Sequence, residues 1–139
     1  MESVQPKWDF AKWVPDVVVV SLGLNDYSGL KDGAGNVTEE KSALFRSAYR
    51  RFLGTLRTVY PGIRIVAVAG SEEWIRENVR KVVDEEQEAG DRTISYARFD
   101  RFNGGYVGYG HPTVETHARM AEQLISQMEA FHLFEKEGE

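Results

Sequence analysis

Apolar residues fall along this chain in two kinds of run, unbroken β-branched stretches and stripes that return every third or fourth position. The stretch Val17-Val18-Val19-Val20-Ser21-Leu22 has no polar alternation, the pattern of a strand covered on both faces, and predicts a central parallel strand. Ile63 to Ala69 predicts a second apolar strand, closed by Gly70, and the more polar, alternating run from Thr93 to Phe99 predicts a third near a sheet edge. Helical spacing separates them. Thr38 can cap a helix with Glu39 and Glu40 in its first turn and Phe45, Ala48, Tyr49, Phe52, Leu56 and Val59 as its stripe, stopped by Pro61-Gly62. A second stripe, Ile75, Val79, Val82 and Val83, follows Ser71 as N-cap and ends at Gly90. Beyond Pro112 the spacing of Val114, His117, Ala121, Leu124, Ile125 and Met128 predicts a final long helix. Trp8, Phe10, Ala11 and Trp13 predict a short amphipathic helix ended by Pro15, and 25–37 and 100–110 are loops rich in turn residues. The run 84–88 reads as a solvated helix end.

Strands alternating with helices predict an α/β architecture with a parallel sheet. The 139 residues fit one domain and, at 42% hydrophobic, are too apolar for disorder. Net charge is −5, so no basic field attracts nucleic acid or anionic lipid, and small neutral or cationic partners stay open. With no cysteine, a disulfide scaffold, a thiol nucleophile and a Cys-ligated metal are excluded. No apolar run is long enough to span a bilayer, and the start lacks signal-peptide character, which predicts a soluble chain as given.

In parallel α/β sheets ligands bind beyond the carboxyl ends of the strands, so the loops after Leu22, Ala69 and Phe99 should carry function. The first reads Gly23-Leu24-Asn25-Asp26, where glycine permits a tight turn and the Asn25 amide can donate to a developing oxyanion. The last ends Gly108-Tyr109-Gly110-His111-Pro112, and His111 can act as a general base near neutral pH. Each fragment alone also fits an ordinary turn. Tyr106 and Tyr109, flanked by glycines, fit either a stacking platform for a sugar ring or loop packing. His117 falls on the apolar stripe of the last helix and reads as a core or interface histidine rather than a ligand.

Together, residues 15–26 and 111–124, a strand-G-x-N-D followed late by H-P-x-x-x-x-H-x-x-M-A-x-x-L, resemble the SGNH/GDSL hydrolases, and most of all their acetyl-xylan esterase branch, the family 2 carbohydrate esterases. The resemblance implies a flavodoxin-like three-layer sandwich and hydrolysis of O-acetyl or other short-chain esters, with no metal or cofactor. By it Asn25 is the oxyanion donor and His111 the base; from their place in the same loops, Gly23, Asp26, Tyr106 and Tyr109 are the expected substrate-binding residues.

Two departures follow. The family's G-D-S nucleophile turn is absent from this sequence, and Gly108 stands where an Asp three residues before the histidine is usual. The chain therefore resembles the C-terminal part of the domain, a partial domain over 1–139 with an incomplete sheet of about three strands, and a parent protein that can be secreted. Ser71, after Gly70, reads first as an N-cap and second as a substitute nucleophile. An incomplete sheet turns the run 17–22 into an open edge and uncovers Trp8, Trp13, Met128 and Phe131, which predicts a homodimer or higher homo-oligomer. Three function classes follow: an esterase, an inactive fragment that binds an acyl or carbohydrate ligand, and a fragment that only self-assembles.

Overall fold

The computed structural model describes residues 8–134, apart from the Tyr109 side chain. Three parallel strands, β1 (Val17–Val20), β2 (Arg64–Ala69) and β3 (Ile94–Arg98), lie side by side in that order. Val17 faces Arg64 across the first pair, and Ile65 faces Ile94 across the second. Strand alternation then splits β2 between two cores. Ile65, Ala67 and Ala69 pack with helices α2 (Glu39–Val59) and α3 (Glu73–Glu88). Val66 and Val68 pack with Ala97 and, from α4 (Val114–Ala130), Leu124 and Met128. The result is a helix–sheet–helix sandwich.

The central strand is β2, not the four-valine run. Among the described residues β1 is an edge, and Val19 is 44% exposed because α4 packs over β2 and β3 and stops short of it. The more polar β3 is the opposite edge, as its alternation predicts.

Helix stripes are right in kind and shifted in detail. In α3 the predicted Ile75, Val79, Val82 and Val83 are fully buried, and Gly90, at φ +107, turns the chain out of the helix. Ser71 does not cap it; the N-cap is Glu72, without a side-chain bond. In α2 Thr38 caps as predicted, its Oγ1 accepting the Lys41 N–H at 3.4 Å, but the buried stripe runs through Phe45, Tyr49 and Leu53 while Ala48 and Phe52 turn outward. In α4 the inward residues are Thr116, Met120, Leu124 and Met128, with Val114 and His117 exposed. His117 is thus on the exposed face of α4 and not in the core.

Three local expectations are replaced. Around Trp8 to Trp13 only a 3-10 turn forms, Phe10–Lys12, capped by Asp9; the chain is already extended at Trp13, too close to Pro15 for a nucleated helix. The loop at 25–37 contains a helix, α1 (Leu24–Leu30), stabilised by tertiary contacts rather than propensity. The final loop closes as two short antiparallel strands, β4 (Tyr106–Val107) and β5 (His111–Pro112), around a 3-10 turn at Gly108–Gly110.

Candidate active site

A cleft of about 190 Å³ opens at the carboxyl ends of the three strands. Ser21, Leu22 and Leu24 line it after β1, Gly70, Ser71 and Glu72 after β2, and Phe99 and Asp100 after β3. Tyr106, Gly110, Pro112 and Met120 close it from the last loop and α4, with Ile75 beneath. The three post-strand loops therefore gather where the parallel topology requires. No Lys, Arg or His is among these lining residues; apolar side chains are joined there by two serines, Tyr106 and two acidic residues, Glu72 and Asp100.

Gly23 is what turns the chain from β1 into α1. Its φ is +116, a region L side chains rarely adopt, and an added Cβ would sit 3.2 Å from Phe45 and 3.3 Å from Ile75. Gly23 is thus buried beneath the cleft as a packing residue, not at its surface. Its carbonyl accepts the Tyr27 N–H at 2.8 Å, starting α1 with Asn25 and Asp26 in the first turn, both exposed. Tyr27 then locks α1 down: its ring stacks on Trp74 at 5.6 Å and its hydroxyl donates to the Gly35 carbonyl at 3.1 Å. Trp74 is held in turn by an Nε1–H donated to Ser42 Oγ at 2.8 Å and by the Phe45 ring at 4.9 Å. Asn25 thereby stands on a short helix anchored by aromatic packing.

His111 is held from the other side. Its backbone N–H donates to the Gly108 carbonyl, so the glycine in place of the usual Asp touches the main chain of this residue. The loop is pinned to α4 by Gly105, whose carbonyl accepts the Thr116 hydroxyl at 2.6 Å and the Thr113 N–H at 2.8 Å. Gly105 has φ +74, and a Cβ there would lie 2.1 Å from Thr116 Oγ1. Neither Gly105 nor Thr116 stood out in the sequence, although Gly104-Gly105 ahead of a capped helix is a signal for such a close approach.

Ser71 lines the cleft and is free of the capping role expected of it. Tyr106 also lines it, its hydroxyl accepting the Phe102 N–H at 3.3 Å, while the Tyr109 side chain lies outside the described part. Asn25, Asp26 and His111 are not among the lining residues; they flank the cleft, Asn25 next to Leu24 and His111 between Gly110 and Pro112. Arg76, another residue the sequence did not single out, braces the rim by donating to the carbonyls of Gly70 at 3.2 Å and Phe99 at 2.8 Å. Among the described residues no three His, Asp or Glu side chains gather as a metal ligand set, and no helix is long and apolar enough to cross a membrane.

The GDSL-like lipase/acylhydrolase family model matches residues 1–124, a span that includes the Asn25 turn after β1 and the His111-Pro112 pair before α4. The chain belongs to this family. Within it, the chain is 32% identical over 131 residues to the cellulase/esterase CelE of Acetivibrio thermocellus, covering 88% of this chain and 15% of that protein. It is 28% identical over 127 residues to the acetylxylan esterase / glucomannan deacetylase of Cellvibrio japonicus, covering 88% of this chain and 33% of that one. Among solved structures, a family two carbohydrate esterase from Clostridium thermocellum in complex with cellohexaose superposes with a TM-score of 0.74 at 30% identity, over 90% of this chain and 38% of that chain. An acetyl xylan esterase from Butyrivibrio proteoclasticus superposes at 0.80 and 22% identity, over 94% and 41%, and shares the fold. The chain thus spans about a third or less of these curated relatives' length.

Proposed function

We propose that this chain carries the oxyanion and general-base side of an SGNH-type site that hydrolyses O-acetyl or other short-chain esters, those of carbohydrates included. The observation that carries the reading is the meeting of the Asn25 helix and the His111 loop at one cleft in a chain of this family. In the reaction a serine Oγ attacks the ester carbonyl and gives its proton to the His111 imidazole. The carbonyl oxygen becomes an oxyanion that accepts a hydrogen bond from the Asn25 amide. Collapse expels the alcohol, which takes the proton from His111, and water then releases the acid by the same steps in reverse order. Within this sequence Ser71 is the substitute nucleophile the reading carries: it lines the cleft, as Ser21 also does, it follows Gly70 at the end of β2, and it is not spent as a cap.

A second reading, a cleft that binds an acyl or sugar ligand without turnover, draws on the absence of a G-D-S turn from the sequence. Hydrolysis of p-nitrophenyl acetate by the wild type, His111→Ala, Asn25→Ala and Ser71→Ala separates the two. Activity lost in all three variants supports the esterase; ligand binding without hydrolysis supports the second reading.

Self-association belongs to this proposal as well. The outer side of β1, with Val19, Leu22 at 50% exposed and Phe52 at 41%, forms an open apolar groove. A closed two-fold pair through identical edges must run antiparallel, since a parallel ladder is not symmetric about a two-fold axis. The two clefts of such a dimer open in opposite directions, so one copy cannot lend the other a serine through this edge.

A further inference from the structure

The two edges of the sheet are finished differently, and the difference lies in three glutamines. In β3 the Thr93 carbonyl and the Phe99 N–H bond toward β2, to the Ile65 N–H at 2.8 Å and the Ala69 carbonyl at 2.9 Å. The even-numbered residues between and beyond them therefore turn their N–H and C=O groups outward, to the side where a fourth strand would add. At Ile94, Arg98 and Asp100, on either side of Tyr96, side-chain amides take such groups. Gln127 accepts the Arg98 N–H at 3.0 Å and donates to the Arg98 carbonyl at 2.9 Å, the two bonds a neighbouring strand would make. Gln123 accepts the Asp100 N–H at 3.0 Å and donates to the Asp100 carboxylate at 2.6 Å. From α3, Gln87 donates to the Ile94 carbonyl at 2.9 Å. The spacing explains the fit: one turn of α4 between Gln123 and Gln127 advances about 6 Å, close to the roughly 6.6 Å between Asp100 and Arg98 along an extended chain. Among the described residues no side chain caps the outer backbone of β1 in this way.

We propose that Gln87, Gln123 and Gln127 close the β3 edge against a second copy of this chain. An open β1 edge on one molecule and an open β3 edge on the next would pair in parallel, head to tail. Such a contact uses two different surfaces and does not close on itself, so it grows into a filament. With β3 occupied, association through sheet edges stops at the closed β1-to-β1 dimer.

The test compares wild type with Gln123→Ala/Gln127→Ala by light scattering from micromolar to sub-millimolar concentration, with circular dichroism to verify the fold. The expected result is a wild type no larger than a dimer and a variant whose mass passes that of a dimer and keeps rising with concentration. A variant with the wild-type spectrum and the wild-type mass throughout overturns the proposal. Amide exchange on the single variant Gln127→Ala decides the matter if the double variant fails to fold. The Arg98 amide should exchange about tenfold faster than in wild type, as loss of a hydrogen bond of about 1.4 kcal/mol gives, with Val66 unchanged. Equal Arg98 exchange in both proteins overturns it.

Discussion

Single residues decide how tightly the last loop is held. Because a Cβ at position 105 has no room beside Thr116 Oγ1 and the backbone is left-handed there, Gly105→Ala should cost about 1–3 kcal/mol from backbone strain alone. Urea unfolding measures it, and loss of the His111 loop's order in amide exchange should accompany it. Gly23→Ala faces the same backbone penalty, with contacts to Phe45 and Ile75 that can yield by a few tenths of an ångström, so its cost should be the smaller of the two. Charge matters most at Asp91. Burial raises its carboxyl pKa, but the Thr93 N–H, Arg57 and the Thr93 hydroxyl outweigh this and hold it below its ordinary 3.8. A carboxyl depressed in the folded state stabilises fully above its unfolded value and loses that stability as pH falls through the folded one. Asp91→Asn should therefore destabilise the fold at pH 7, by an amount that shrinks as pH is lowered below the ordinary 3.8 and that solvent screening of a partly exposed pair keeps modest, read from unfolding curves across that range. Burial pushes the Tyr49 phenol the other way, well above its ordinary range, so it stays neutral and adds no pH dependence there.

At the scale of elements, helix and strand runs were legible wherever a long apolar pattern exists. The α3 stripe is an example: Ile75, Val79, Val82 and Val83 face a two-helix core and nothing polar competes for the face. Stripes drifted where a polar side chain had a specific partner. In α2, Ser42, Arg46 and Tyr49 turn inward because Ser42 meets Trp74 and Arg46 meets Asn78 at 2.6 Å, which swings Phe52 out. In α4, Thr116 must reach Gly105, which leaves Val114 in solvent. Helix α1 was illegible because its support lies in Tyr27 stacking on Trp74, residues 47 positions apart whose pairing no local pattern encodes. This pairing makes a prediction for the site. Trp74→Ala should release α1, costing about 3–5 kcal/mol for the lost aromatic, and should broaden the Asn25 amide resonance more than that of Val66.

At the scale of the whole molecule, among the described residues, one sheet edge is partly covered by side-chain amides and the other is not. Its sequence pointed to the open edge through the four-valine run but called that strand central, because a run without polar alternation reports what can be buried, not what lies beside it. The cleft's place at the strand ends followed from topology alone, whereas its pinning by Thr116, Arg76 and Asp100 rests on contacts between distant segments. If β1 is the self-association surface, Val19→Lys should shift a dimer to monomer in sedimentation without altering circular dichroism, since a charge there obstructs an apolar edge. The proposed activity stands or falls on the pair that flanks the cleft. Hydrolysis of p-nitrophenyl acetate by wild type beside His111→Ala tests it most directly: turnover above buffer that falls by at least about 100-fold, the usual scale of general-base catalysis, is the expected result, and turnover absent from wild type or unchanged in His111→Ala would contradict it.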